Sequence, residues 1–255
     1  MADINKLAET VDNAAVEARA ITQLSEKTPI TVEEGYAIQA AAFGRRLARG
    51  ERQIGVKMGF TSRAKMIQMG LSDLVWGRLS DQMLIEDGTE IDLKNYVHPR
   101  VEPELAFLLK KPLEGRVSAS EALAAVEAVA PAMEIIDSRY HNFKFSLADV
   151  VADNSSSSGF VLGAWQSPNV DLTNLGMVLE FNGRPVQIGS SAAILGQPVR
   201  SLAAASRLST DAGRRLEAGW IVMAGGATAA EALKPGIYVR NIVQDLGFVG
   251  FSVAK

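Results

Sequence analysis

The chain has 255 residues, 47% of them hydrophobic and 22% charged, with a formal net charge of −3 and both signs interspersed, a balance that suits a globular protein with a sizeable core. No basic block offers an electrostatic footprint for nucleic acid or an anionic membrane, and no segment reaches the roughly 18 apolar residues of a membrane helix. The absence of cysteine excludes disulfides, thiol nucleophiles and thiolate metal sites, so any metal must sit on oxygen or on one of two histidines.

The first twenty residues lack the basic flank and apolar run of a secretory signal, so a cytoplasmic location is expected, with small molecules and other proteins as partners. Leu7, Val11, Ala14, Ala18 and Ile21 recur at helical spacing and predict an amphipathic helix over 4–24. Thr31 with Glu34 three residues on is a capping-box pattern opening a second helix that ends in basic residues and Gly50. "RQIGVKMGF" switches to a β-like run, and "TSRAKMIQMG" predicts a short helix from Thr61 or Ser62 to Gly70. The apolar helix faces of this first part can pack on the rest of the chain or on a second copy.

From about residue 97 the pattern becomes stranded: "VHPRVEPELAFLL", "AVAPAMEIIDS", "GFVLGAW", "LGMVLEFNGRPVQIG", "GWIVMAGG" and "YVRNIVQDLGFVGFSVA". Asn182-Gly183 suits the positive φ angles of a type I′ hairpin turn. Helices are expected at 118–128, around 200–216 and at 227–233. No regular β-α alternation with a phosphate-loop glycine pattern occurs, which excludes a Rossmann arrangement. The expected class is α+β, with a helical and mixed portion over 1–80 and a β-rich portion over 81–255.

In a strand Glu102 and Glu104 share one face about 7 Å apart, with Val101, Leu105 and Phe107 on the other. By itself this is the pattern of a half-solvated strand. Against that, Ala106 and Leu108 continue the glutamate face as apolar residues, and Pro103 points to a strand edge or a bulge. Glu134 lies in similar surroundings, between Met133 and Ile135. Carboxylates gathered in an apolar cavity must take up protons or share a cation, and oxygen-only ligation suits Mg²⁺ or Mn²⁺.

Lys57, among Ile54, Val56, Met58 and Phe60, is either a snorkelling surface lysine or a partly desolvated ammonium able to hold a substrate carboxylate or move a proton. "DNSSSSG" over 153–159 offers a dense row of polar groups, and Gly225-Gly226 precedes a segment whose free N–H groups can receive an anion. Serine-triad chemistry finds no G-x-S-x-G elbow, and only His98 and His141 could act as bases.

Taken in order, "GVKMGFTSRAKM", "HPRVEPELAFLL", "PAMEIIDSR", "VVADNSSSSGFVLG" and "IVMAGGATAA" resemble the hydratase/decarboxylase family of aromatic meta-cleavage pathways, within the fumarylacetoacetate-hydrolase-like superfamily. The resemblance implies a fumarylacetoacetase-like mixed β-roll with a helical N-terminal portion. It implies Mg²⁺ or Mn²⁺ held by Glu102, Glu104 and Glu134, Lys57 as the catalytic lysine, and Asp153, Ser156, Gly225 and Gly226 near the substrate. Hydratases of the family carry an aspartate just before an aromatic-Gly pair, where this chain has Val75-Trp76-Gly77. The implied activity is therefore decarboxylation of 2-oxo-3-hexenedioate to 2-hydroxypenta-2,4-dienoate and CO₂. The alternatives are hydration of that dienoate, or a non-catalytic subunit of such a hydratase. A 2-oxo dicarboxylate substrate, a homo-oligomer and a complex with the pathway hydratase are the implied associations.

Overall fold

The computed structural model describes residues 2–62, 66–67 and 73–255, so the short helix expected over 61–70 lies mostly outside the described residues. Helix α1 (Ile4–Val16) starts at Asp3, whose side chain accepts the Lys6 N–H. It stops well short of residue 24, because Ala18 takes a left-handed φ of 47° and Arg19 N–H returns to the Ala14 carbonyl. Ile21 is then free to pair with Tyr140 as an isolated β-bridge. A single turn, α2 (Leu24–Lys27), leads to α3 (Val32–Ala48), where the Thr31–Glu34 capping box forms as expected. Such a cap contributes about 1 kcal/mol.

Eight strands build a curled sheet: β1 (Gln53–Gly59), β2 (Val75–Ser80), β3 (Leu84–Ile85), β5 (Arg100–Leu109), β6 (Val126–Ile136), β7 (Ser157–Leu162), β10 (Ile221–Met223) and β11 (Glu231–Ala232). Their order is β2-β1-β10-β5-β6-β7-β3, with β11 also on β5. Five more, β4 (Glu90–Ile91), β8 (Gly176–Phe181), β9 (Arg184–Ser190), β12 (Tyr238–Val243) and β13 (Gly247–Val253), form a second sheet in the order β4-β13-β12-β8-β9. Asn182 and Gly183 close the β8–β9 hairpin at φ 51° and 74°, as a type I′ turn requires.

Among the described residues three further α-helices follow: α4 (Ala119–Ala124), α5 (Leu147–Ala152) and α6 (Pro198–Asp211). The helix expected at 118–128 ends early because Val126 already belongs to β6, which pairs along the length of β5. The helix expected at 227–233 does not form. There the chain leaves the sheet after β10, bonds back through Ala224 and Ala227 N–H to the Leu105 and Pro103 carbonyls, and rejoins β5 as β11. Pro103, expected at an edge or bulge, lies in a central strand beside this detour and serves it as an acceptor, so its missing N–H costs no ladder bond.

Val101, Met133, Ile135, Val161, Leu179, Val239 and Phe251 fill the space where the two sheets pack. On the opposite face of the larger sheet, Leu79, Met83, Ala106, Ala132, Phe160 and Met223 form a separate apolar floor. The first helices bury Ala8, Val11 and Ile38 against Tyr140 and Ala152. Among the described residues, no helix is long and apolar enough to cross a membrane.

Candidate metal centre

The three glutamates rise from that apolar floor. Glu102 stands opposite Glu134 in the β5–β6 register, and Glu104 follows on the same face, opposite Ala132. Each offers a carboxylate oxygen within 4.8 Å of the others. Glu104 and Glu134 are fully enclosed, while Glu102 is half-buried and reaches the cavity. The half-solvated reading of this strand therefore fails: apolar residues above and below the acids bury both faces of β5.

Burial drives the Glu104 carboxyl well above its ordinary value, and the neighbouring Glu134 and Glu102 charges push it further; Lys57 and the Gly225 N–H pull only partly the other way. One oxygen of Glu104 accepts from Gly225 N at 2.8 Å. The other, Oε1, is buried with no hydrogen-bond partner among the described residues, a costly state for a carboxylate unless something else satisfies it. An all-oxygen donor set with an orphaned buried oxygen at its centre fits a hard divalent cation.

Lys57 projects from β1 opposite Gly77 and is buried, with its ammonium donating to Glu134 Oε2 at 3.1 Å. Ser157 donates to the other oxygen of Glu134 at 2.8 Å. The snorkelling alternative for Lys57 is thereby removed, because the head group, not only the stem, is inside.

Backbone crowding explains the glycines. A Cβ on Gly226 would stand 2.9 Å from Glu102 Oε2, and one on Gly225, at φ +105°, would strike the Thr61 hydroxyl at 2.3 Å. The pair lets the detour after β10 press directly against the acids. A Cβ on Gly77 would lie 2.5 Å from the Asn154 carbonyl, because the 154–156 turn crosses over β2. Asn154, Ser155 and Ser156 all hold left-handed φ angles, 49°, 53° and 60°, a conformation that costs about 1–3 kcal/mol per non-glycine residue and that concentrates at working sites.

A cavity of about 320 Å³ opens in front of this cluster. Lys57, Glu102, Ser156 and Gly226 line it and Gly225 does not, with Ser155, Thr61, Thr228 and Arg100 as further polar groups and Val75, Ile136, Phe143, Phe145 and Val150 as apolar wall. Ser156 Oγ is buried without a partner among the described residues. Asp153 corrects the expectation: its carboxylate turns away from the cavity to Arg139, bonding the Arg139 backbone N–H at 2.9 Å and the guanidinium Nε. Burial lifts the Asp153 carboxyl to about 6 in spite of that partner. It anchors the start of the strained turn and does not face the cavity.

Arg100 was legible and missed, since it shares the period-two face of Glu102 and Glu104. Phe143 and Phe145 carried no local signal, because only the long-range fold brings their loop over β5.

A curled sheet that seats a Glu-x-Glu pair, a third acid and a lysine beneath an apolar-walled cavity defines a class, and the comparisons agree with it. Residues 61–254 match the fumarylacetoacetate (FAA) hydrolase C-terminal family, and the chain belongs to that family. It is 61% identical over 249 residues, covering 98% of this chain and 97% of the relative, to a 4-oxalocrotonate decarboxylase of Pseudomonas sp.. A 2-hydroxypent-2,4-dienoate hydratase of Pseudomonas putida is 40% identical over 205 residues, 78% of this chain and 92% of the relative. Among solved structures, 4-oxalocrotonate decarboxylase from Pseudomonas putida G7 complexed with magnesium and adipate superposes with a TM-score of 0.95 at 38% identity, covering 98% and 97% of the two chains.

Proposed function

We propose that this chain is a metal-dependent carboxy-lyase that converts 2-oxo-3-hexenedioate (4-oxalocrotonate) to 2-hydroxypenta-2,4-dienoate and CO₂, with Glu102, Glu104 and Glu134 holding Mg²⁺ or Mn²⁺. The observation that carries the reading is the pairing of this acid cluster and Lys57 with an apolar residue, Val75, in the wall of the same cavity. A hydratase needs a group there to activate water; Val75 has none. The acids nearest in sequence are engaged elsewhere, Asp73 with Arg207 at 2.8 Å and Asp81 with Arg52 at 3.0 Å. The decarboxylase relatives, one of them solved with magnesium and adipate, support the same choice.

In the reaction the C5–C6 bond of the substrate breaks, CO₂ leaves, and the electron pair moves through the C3–C4 double bond to the C2 oxygen. When bound, the cation supplies positive charge at the C1 carboxylate and C2 oxygen, where that pair comes to rest. Lys57, held by Glu134, presents an ammonium that hydrogen-bonds the C2 oxygen and delivers the proton that completes the enol. Ser156, which lines the cavity with its Oγ unpartnered among the described residues, binds the substrate's polar end, and the backbone at Gly225 and Gly226 fixes Glu104 and leaves room for Glu102. Val75, Ile136, Val150, Phe143 and Phe145 limit water around the C4–C5 segment.

Purified protein with Mg²⁺ and 2-oxo-3-hexenedioate tests this: CO₂ release that stops on chelation is expected. Water addition to 2-hydroxypenta-2,4-dienoate in its place would establish the hydratase, and neither activity would leave a non-catalytic subunit.

A cytoplasmic location and self-association belong to the same reading. Ile188, Val178, Ile242 and Phe248 align across β9, β8, β12 and β13 as one row, with Ile188 and Phe248 exposed at 74% and 55%. Such an apolar row favours contact with a second copy or with the pathway hydratase, and sedimentation of the protein alone and mixed with that hydratase distinguishes them.

A further inference from the structure

The acid cluster accounts for one end of a 2-oxo dicarboxylate. The other end carries a second carboxylate, which three glutamates repel, so a site selective for a dicarboxylate needs a positive group further along the cavity. Arg100 stands in that position. It precedes Glu102 by two residues on β5, projects from the same face, and lines the same cavity. Two strand positions span about 7 Å, and a six-carbon chain of five bonds spans about 6 Å between its terminal carbons.

Lys57, the other cationic group lining the cavity among the described residues, is committed to Glu134. Among the described residues the Arg100 guanidinium makes no ion pair and donates no hydrogen bond; it lies over the face of Phe143, 4.8 Å from the ring centroid. Phe143 in turn is fixed at some cost. It holds a left-handed φ of 57°, its N–H donates to His98 Nε2 at 2.9 Å, and its ring meets the imidazole edge-on. A strained loop residue thus restricts this guanidinium, whose donors match the two oxygens of a carboxylate in a planar fork.

We infer that Arg100 binds the distal carboxylate of the substrate and makes this a dicarboxylate-selective site, with Phe143 as its positioning residue. The inference rests on the decarboxylase reading above. Arg100 does not serve as the electron sink. It sets which end of the substrate faces the acids, and it holds the C5–C6 bond out of the plane of the conjugated system so that the released pair can enter it.

The test uses the magnesium-loaded enzyme and two inert probes that differ only at the distal end, 2-oxoadipate and 2-oxohexanoate, titrated calorimetrically. Wild type is expected to prefer 2-oxoadipate by about tenfold or more. R100Q should reduce that preference to within about twofold while leaving 2-oxohexanoate affinity unchanged, which also reports an intact fold; R100K should restore part of the preference. A preference retained in R100Q, or absent in wild type, overturns the assignment. Failure of the enzyme reading shows separately, as wild type that binds both probes yet releases no CO₂ from 2-oxo-3-hexenedioate.

Discussion

Glu102 and Glu134 face each other directly across β5 and β6. Like charges in that relationship destabilise a sheet, and burial of their surroundings magnifies the repulsion. The arrangement is economical only when a cation sits between them. Added Mg²⁺ should therefore stabilise the wild-type protein, by about 2.7 kcal/mol at a hundredfold excess over Kd, and raise its thermal midpoint. E102Q should be at least as stable as wild type in chelator, because one of the opposed charges is gone, yet show little further rise with Mg²⁺. Scanning calorimetry of both proteins with and without metal decides the point: an equal metal-induced rise in E102Q would remove Glu102 from the ligand set.

Lys57 sits among the same acids with a different task. Replacing it by methionine keeps the length of the stem and deletes the charge. K57M should lose about 100-fold or more in turnover, the scale of a positioned proton donor. Its metal affinity should hold or tighten, because a competing cation beside Glu134 has been removed. Metal titration and turnover measured on one preparation separate the two effects. A weakened metal affinity would mean that Lys57 acts by holding Glu134 in place.

Asp153 and Arg139 form an enclosed pair, and the strained 154–156 turn begins at that aspartate. D153A leaves a buried guanidinium without its counter-charge, a change worth about 3–5 kcal/mol of stability. The turn should also lose its anchor, so KM should rise through misplacement of Ser156 even at temperatures where the variant remains folded. Denaturant unfolding with kinetics on the folded fraction checks both parts. A loss of stability with KM intact would confine Asp153 to the fold.

How much of this was legible in the sequence follows from how local each signal is. The Thr31 capping box and the Asn182-Gly183 turn depend on neighbours within a few residues, and both form as read. The Glu102–Glu104 face was visible through strand alternation, and the same alternation contained Arg100. Helix α1 was read too long because Ala18 and Ile21 keep the right spacing while a tertiary pairing with Tyr140 claims the segment. The detour at 224–230 was read as helix because its small residues tolerate one; the carbonyls of β5, more than a hundred residues earlier, decide otherwise. Asp153 was placed at the substrate because nothing in "VVADNSSSSG" reveals that Arg139, on another segment, captures it.

His98 supplies a last prediction, for pH. Its Nε2 accepts the Phe143 N–H at 2.9 Å, which requires the neutral ring, since a protonated imidazole has only donors. Burial holds the His98 value below its ordinary one; Asp137, 4.0 Å from Nδ1, and the Tyr140 backbone oppose this, while Arg100 and Arg139 reinforce it. The unfolded chain therefore takes up its proton at higher pH than the folded one. The contribution of this contact is complete above about pH 6.5 and is lost as pH falls from there through the lowered folded value. Amide hydrogen exchange over 141–145, corrected for intrinsic rate, should speed up across that acid range in wild type. H98A should exchange fast at every pH, with no step. A step that persists in H98A would show that His98 is not the group responsible.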